Sequence, residues 1–439
     1  MKREFLVVGG GLAGTFIAYN LSRKGYDVVL VEKSKKIGGL LYTIPCEDSK
    51  GNTYFFDIGP HIPPRSDIWN FLCKKVENIS LQYSSLKSSM ELDNHFISFP
   101  LSLKEITNIP LKQLLKFFLS YLESSLSKRN ESTIKDCLIN KFGANFYQNY
   151  LRNYIYKFWK FPVDFISKDW SLRIPSVNLK NIIRNGLSTH KAKFDSSNKI
   201  LYPVYGIGQI FKPIISEMLS NSVELKLNTI VKSIQPSIDK LYVSLKEPNS
   251  TTEYTFNKII WTGALHYITR LTGLNIRKKL IYRDLLVVNC AIEKENLLGE
   301  KIIDAYITSP EIIFHRIYEP KKFSQKMAPS ACTSICIEIS ITEHMKKMIP
   351  HIVEKSIKQL QYLYNLANSD VKCLNYEIIE NAYPVLFVKY ESLVDKLTKH
   401  LEKKNIYLAG RTGKYHYWGI EQVLNDAKRI ITELTTAKK

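Results

Sequence analysis

The strongest constraint on this chain lies at residues 9–14, where Gly9-Gly10-Gly11-Leu12-Ala13-Gly14 separates two apolar stretches. Phe5-Leu6-Val7-Val8 ahead of it reads as a short buried strand. Thr15 to Lys24 behind it reads as a helix, with Phe16, Ile17, Tyr19 and Leu21 as apolar members. Gly25 ends that helix. Asp27 to Glu32, with Val28-Val29-Leu30-Val31 at its centre, reads as a second strand. Such an unbroken apolar run belongs to a parallel sheet covered on both faces. The motif G-x-G-x-x-G, set inside a βαβ unit, has a task for each glycine. Gly9 makes the tight turn out of the strand, Gly11 lets backbone approach a pyrophosphate, and Gly14 lets helix pack closely on strand. Leu12 and Ala13 open the helix, whose N-terminus offers free N–H groups and a positive dipole end to phosphates. Glu32 stands at the end of the second strand, where an acid takes ribose hydroxyls and disfavours a 2′-phosphate.

Other readings of the same stretch are weaker. Phe5 to Ser22 carries no charge and follows Lys2 and Arg3, as a signal peptide or membrane span would. Four glycines, and Asn20 and Ser22 in its apolar half, fit a buried strand, turn and helix better. The seven cysteines (46, 73, 137, 290, 332, 336, 373) form no C-x-x-C pair, which argues against a disulfide framework or zinc ribbon and points to a reducing cytoplasm. The nine histidines form no H-x-x-x-H or H-x-H cluster, so no metal site is expected. The formal charge of +21 predicts attraction to anions. The lysines are scattered without a basic block, and no nucleic-acid partner is expected.

After Glu32 come Lys33 and then Gly38-Gly39-Leu40. An acid followed six residues later by Gly-Gly resembles the extended dinucleotide motif of the FAD-binding glutathione-reductase-like superfamily, which implies FAD rather than NAD. The C-terminal stretch Asn405-Ile-Tyr-Leu-Ala-Gly410-Arg411-Thr-Gly413, followed by Tyr415-His-Tyr417-Trp418-Gly419-Ile420, resembles the flavin motif of UDP-galactopyranose mutases and of amine-oxidase-like and protoporphyrinogen-oxidase-like proteins. In those folds this strand returns beside the first βαβ unit. Asp57-Ile-Gly59-Pro60-His61 is similar to the mutase loop over the flavin. Asn94–Pro100, Trp159–Pro162, Asp169–Pro175, Tyr202–Gly208, His315–Pro320 and Ala382–Val385 match in order. The resemblance thus covers most of the chain and implies that His61 lies near the flavin. It implies that Arg316 and Tyr383 hold a substrate diphosphate, with Trp159, Arg173 and Tyr417 as further substrate contacts. This sequence also departs from the mutases. Arg173-Ile-Pro175 is followed by Ser176, Val177 and Asn178 where they carry a second Arg, and Gly419 replaces an acid.

The expected fold is α/β: a glutathione-reductase-like FAD-binding Rossmann domain interleaved with a substrate domain of antiparallel sheet plus a helical insert. The segments 1–85, 200–275 and 400–439 are assigned to the FAD domain, 86–199 to the helical insert and 276–399 to the sheet-rich part. Leu111 to Leu126 reads as an amphipathic helix, with Leu114, Leu115, Phe118, Leu119 and Leu122 set against Lys112, Lys116 and Glu123. Beside the resemblance, the residues leave bland alternatives: His61 capping the Pro-rich turn, Arg316 paired with Glu319 or Asp304, and Trp159 as a buried core aromatic. The function expected is an FAD-dependent oxidoreductase acting on a nucleotide-sugar or related anionic small molecule in cell-surface polysaccharide synthesis. A redox-neutral mutase is the alternative. A peripheral membrane flavoprotein, docked through Leu111–Leu126 on a porphyrin or lipid-like substrate, is a third reading. No second G-x-G-x-x-G exists for NADPH, so an external reductant or electron acceptor is implied.

Overall fold

The computed structural model describes residues 2–83, 87–93, 95–99, 111–173, 199–274, 276 and 280–436. Lys2–Val8 (β1), Leu12–Arg23 (α1) and Val28–Val31 (β2) form the expected βαβ unit, and β1 pairs with β2 in parallel from Phe5↔Val28 to Val8↔Val31. All of Val28–Val31 is buried, as strands covered on both faces require. Five strands distant in sequence complete this seven-stranded sheet. Ile230–Pro236, Leu241–Lys246 and Thr251–Trp261 are antiparallel to one another, Thr251–Trp261 pairs in parallel with β1, Glu224–Lys226 pairs in parallel with β2, and Ile406–Leu408 pairs in parallel with Thr251–Trp261. The C-terminal strand thus returns to the first βαβ unit, as the resemblance implied.

A second seven-stranded sheet runs in the order Val371–Pro384, Tyr282–Ile292, Thr333–Ile341, Arg316–Tyr318, Ile302–Tyr306, Lys87–Leu92 and His95–Phe99. Its neighbours are antiparallel except for Ile302–Tyr306 with Lys87–Leu92. The hairpin Lys87–Phe99 lies in the stretch assigned to the helical insert, yet its strands extend the second sheet. Among the described residues, the longer helices of that insert are Leu111–Leu126, Ile134–Phe142 and Arg152–Trp159. Thr133 and Asp136 close a capping box at the start of Ile134–Phe142, which satisfies two otherwise orphaned backbone donors.

Thr333–Ile341 is buried along its whole length. Strand side chains alternate between faces. Ile335, Ile337, Ile339 and Ile341 pack in one cluster with Ile349, Ile352 and Leu360 of helix Ile349–Tyr364. Ser334, Cys336, Glu338 and Ser340 therefore take the opposite face. That alternation delivers a carboxylate, Glu338, to the interior between the sheets. The architecture is the mixed α/β arrangement expected: a Rossmann-like domain with a separate, mainly antiparallel sheet. Among the described residues no helix is long and apolar enough to cross a membrane, and no group of three or more His, Cys, Asp or Glu could hold a metal ion.

Candidate functional site

A cavity of about 1080 Å³ opens at the carboxyl ends of the parallel strands, where Val8, Val31 and Trp261 line it. Open α/β sheets bind ligands in this crevice. Of the sequence-chosen residues, Gly9, Gly11, Leu12, Ala13, Glu32, Lys33, Gly38, Gly39, Leu40, His61, Gly410, Arg411, Gly419 and Ile420 line the cavity. Gly14, Gly59 and Pro60 do not.

The three motif glycines differ in what a side chain would meet. Gly9 has φ +104°, and a Cβ there would lie 2.3 Å from Thr262 Oγ1. At Gly14 a Cβ would lie 1.9 Å from the Gly9 carbonyl oxygen, so that glycine sets the contact of α1 with the turn. At Gly11 the nearest atom is Gly39 Cα at 3.9 Å. Gly11 backbone is ordinary and extended, so neither crowding nor strain explains the glycine. What it leaves open is cavity.

The paired glycines dock on this turn. Gly38 N donates to Gly10 O at 2.8 Å, and a Cβ on Gly39 would lie 3.0 Å from Gly11 Cα. The sequence suggested that Gly-Gly approaches a cofactor; it also approaches the glycine turn itself. Glu32 braces the same loop, accepting from Gly10 N at 2.7 Å and Ser34 N at 2.9 Å. Lys33 pairs with Glu380 of the second sheet at 2.5 Å, and both side chains line the cavity. At the C-terminal turn, Gly410 has φ +72° and would place a Cβ 2.7 Å from Ala13 Cβ. The return strand thereby seats against the first turn of α1.

His61 Nε2 lies 2.8 Å from Leu40 O and 2.6 Å from Ile58 O. Two carbonyls require that nitrogen to carry the proton, so only Nδ1 is left for another partner. Burial pushes the imidazole pKa down to about 4, against these carbonyl contacts, which favour the charged form. His61 thus latches the Gly-Gly loop to the end of strand Thr53–Asp57 while lining the cavity. Beneath it, Asp57 joins two segments chosen from sequence. Its carboxylate accepts from Thr43 Oγ1 at 2.5 Å, from Ile207 N at 3.1 Å and from the Tyr202 hydroxyl.

Arg316 and Tyr383 lie outside the cavity lining. Arg316 Nε donates to Glu338 Oε2 at 2.6 Å. This fulfils the ion-pair reading with a different acid. Glu319 instead accepts from Leu297 N, Leu298 N and Thr333 Oγ1. Burial alone would raise the Glu338 carboxyl, but the Arg316 guanidinium, by its charge and its hydrogen bond, holds it at about 2, with His315 Nε2 3.6 Å away. A Cβ on Gly59, whose φ is +91°, would come within 3.0 Å of Glu338 Oε1 and 3.8 Å of Arg316 Nη2. That explains the glycine in the Asp-Ile-Gly loop.

Tyr383 is buried, and its ring centre lies 4.8 Å from Phe158 and 5.6 Å from Tyr417. The Arg411 guanidinium carbon sits 4.3 Å from the Tyr417 ring centre and 5.2 Å from that of Tyr383. Cation–π contact therefore links the cavity wall to an aromatic cluster behind it. Trp159 is fully buried among Phe158, Trp170, Tyr383 and Tyr417. Arg173 ends a short helix, Lys168–Arg173; its side chain, and Ile174 to Asn178, lie outside the described residues.

Sequence reasoning missed Thr229–Lys232, Trp261–Ala264, Tyr267 and Arg270, which also line the cavity. One signal was available. Ile259-Ile260-Trp261-Thr262-Gly263 repeats the pattern of an apolar strand running into a small-residue turn, and Thr262 Oγ1 donates to Val8 O at 2.8 Å.

Residues 7–74 match the family of NAD(P)-binding Rossmann-like domains. A UDP-galactopyranose mutase of Mycoplasma genitalium is 28% identical over 182 residues, 40% of this chain and 44% of that protein. The matched stretches span less than half the length of the first curated relatives, at 26%, 17% and 44%. Among solved structures, that of a reduced UDP-galactopyranose mutase superposes with a TM-score of 0.83 at 18% identity, covering 100% of this chain and 94% of the other. A protein of Exiguobacterium sp. 255-15, provisionally named a protoporphyrinogen oxidase, superposes with a TM-score of 0.74 at 13% identity, covering 98% of each. The chain carries an NAD(P)-binding Rossmann-like domain and has, along its whole length, the fold shared by UDP-galactopyranose mutase and its oxidase-like structural neighbours.

Proposed function

We propose that this chain is an FAD-dependent oxidoreductase acting on a small anionic molecule, a nucleotide-sugar or related diphosphate. The observation that carries the reading is one continuous cavity with Glu32 and the glycine turn in its wall, together with Arg411. The residues present fit FAD. Gly9–Ala13 and the N-terminus of α1 would hold its diphosphate, and Glu32 the adenosine ribose. Gly38–Leu40, Gly410–Arg411 and Gly419–Ile420 would hold the flavin half. Bound FAD would supply electron or hydride transfer. This chain's residues orient the ring and set the charge around it. Lys35, Lys36, Lys232, Arg270 and Lys346 line the same cavity and favour anions. The setting is a cytoplasmic step of cell-surface polysaccharide synthesis, served by an external reductant or electron acceptor.

A redox-neutral mutase is the second reading, favoured by the 0.83 superposition on a UDP-galactopyranose mutase. Against it stands Gly419, in place of the acid that the mutases carry. The test is a titration of the oxidised and the dithionite-reduced flavoprotein with UDP and UDP-sugars, followed by flavin absorbance. Binding with net flavin reduction by substrate supports the oxidoreductase. Turnover of UDP-galactopyranose only in the reduced state supports the mutase. No response to any nucleotide diphosphate in either state rejects the sugar-nucleotide substrate.

A further inference from the structure

Among the described residues, the helix Leu111–Leu126 is seated by one face only. Phe117 packs edge-on against Phe146 and Tyr150, with ring centres 5.1 and 5.8 Å apart. Ser120 Oγ accepts from Asn145 N at 2.9 Å, and Ser124 is buried. The other face carries Leu111, Leu115, Phe118, Leu119, Leu122 and Leu126, each between 41% and 90% exposed. Their spacing of three, four and seven residues places them on one ridge of the helix. An amphipathic helix in a globular domain normally turns this ridge inward, and here it is turned outward. Scattered exposed leucines are ordinary, whereas a contiguous apolar ridge marks an interaction surface.

We propose that this ridge inserts into the headgroup region of an anionic lipid bilayer and anchors the protein peripherally, with the helix lying in the membrane plane. Charge selects the occupant. Lys112 and Lys116 flank the ridge, Lys128 and Arg129 follow it, all four are exposed, and the whole chain carries +21. Among the described residues, the acids on and just after the helix are Glu123 and Glu131, the latter hydrogen-bonded by Asn140 and Cys137, and Asp93 lies on the seated side, where Tyr150 donates to it at 2.6 Å. A second copy of a chain this basic would be repelled, while an anionic surface attracts both the flanking lysines and the body of the protein. The helix has 16 residues, so it lies on the membrane rather than spanning it.

The test is co-sedimentation of the full-length protein with vesicles of phosphatidylcholine plus phosphatidylglycerol, against vesicles of phosphatidylcholine alone. Binding is expected to the anionic vesicles and to fall as salt rises. Leu115→Ser/Leu119→Ser/Leu122→Ser leaves the net charge unchanged and alters only outward-facing side chains. It is expected to weaken vesicle binding by at least about tenfold with an unchanged melting temperature. In Phe118→Trp, indole emission should shift to the blue when anionic vesicles are added. Undiminished binding of the triple variant would overturn the proposal, assigning the attraction to general surface charge. So would failure of the wild type to bind, or a dimer in sedimentation equilibrium that the triple variant dissolves.

Discussion

Arg316 is clamped by Glu338, Nε to Oε2 at 2.6 Å, and the two side chains lie directly opposite each other on neighbouring strands, Arg316↔Glu338. The carboxylate is wholly buried and the guanidinium nearly so. Removing one partner strands the other in the interior. Arg316→Met or Glu338→Leu alone is expected to cost about 3–5 kcal/mol in urea unfolding. The double variant should recover most of that loss, because apolar residues of similar volume replace a desolvated pair. Additive losses would show that the pair does not act as a unit. An activity defect in Arg316→Ala alone therefore cannot be read as lost substrate binding until its stability is measured.

The glycines of the turn should separate stability from binding. Gly14→Ala places a methyl 1.9 Å from the Gly9 carbonyl oxygen. It should destabilise the fold by several kcal/mol (about 3 or more), as steric overpacking at a helix–turn contact does. Thermal melting of the purified variant checks this, and a melting temperature within a few degrees of wild type would contradict the packing account.

Glu32→Ala removes the acceptor of Gly10 N and Ser34 N as well as the acid proposed to hold the ribose. FAD affinity is expected to fall by about 1–3 kcal/mol, the cost of a lost charge-assisted hydrogen bond. Fluorescence titration of apoprotein with FAD measures it. Unchanged affinity would remove Glu32 from the nucleotide site.

How much of this was legible in the sequence depends on the range of the contact. The first βαβ unit was readable because its signals are local: glycines at fixed spacing, two unbroken apolar strands, and an acid at the second strand's end. The C-terminal return was readable by resemblance, because Gly410 sits in a turn whose tight contact with Ala13 admits no side chain. Arg316 is the opposite case. Its expected acids, Glu319 and Asp304, are close in sequence, but its partner is fixed by the order and register of strands Arg316–Tyr318 and Thr333–Ile341. Nothing within one strand encodes that. Trp159 looks the same in sequence whether it stacks on a ligand or fills a core, and packing by Phe158 and Trp170 puts it in the core. The strands Lys87–Leu92 and His95–Phe99 fall within the stretch 86–199 assigned to the helical insert, but Lys87–Leu92 pairs with Ile302–Tyr306, far away in sequence.

Buried titratable groups oppose one another in acid. His61 and His315 have pKa values pushed down to about 4 by burial. Between the unfolded value of about 6.5 and about 4 the unfolded chain binds more protons, so each histidine's stability contribution is lost as pH falls. Asp57 and Asp304 are raised by burial to about 6 from 3.8, so between those values the folded chain binds more protons and stability is gained as pH falls. His61→Gln keeps a donor for Leu40 and Ile58 but cannot titrate. Its stability loss between pH 6.5 and 4 should be smaller than that of wild type by up to about 3 kcal/mol. Denaturant unfolding across that range checks the sign, and a steeper loss in the variant would contradict it.

The central claim, that the cavity at the strand ends is a flavin dinucleotide site, is tested most directly by the cofactor content of two purified proteins. Wild type should be yellow and release one FAD per chain on denaturation. Gly11→Val should fold with a near-normal melting temperature, since the nearest atom to its Cβ is 3.9 Å away, yet be colourless because the side chain fills the space a pyrophosphate needs. A wild-type protein that is colourless and cannot be reconstituted with FAD would contradict the account, as would a Gly11→Val protein that retains a full complement of flavin.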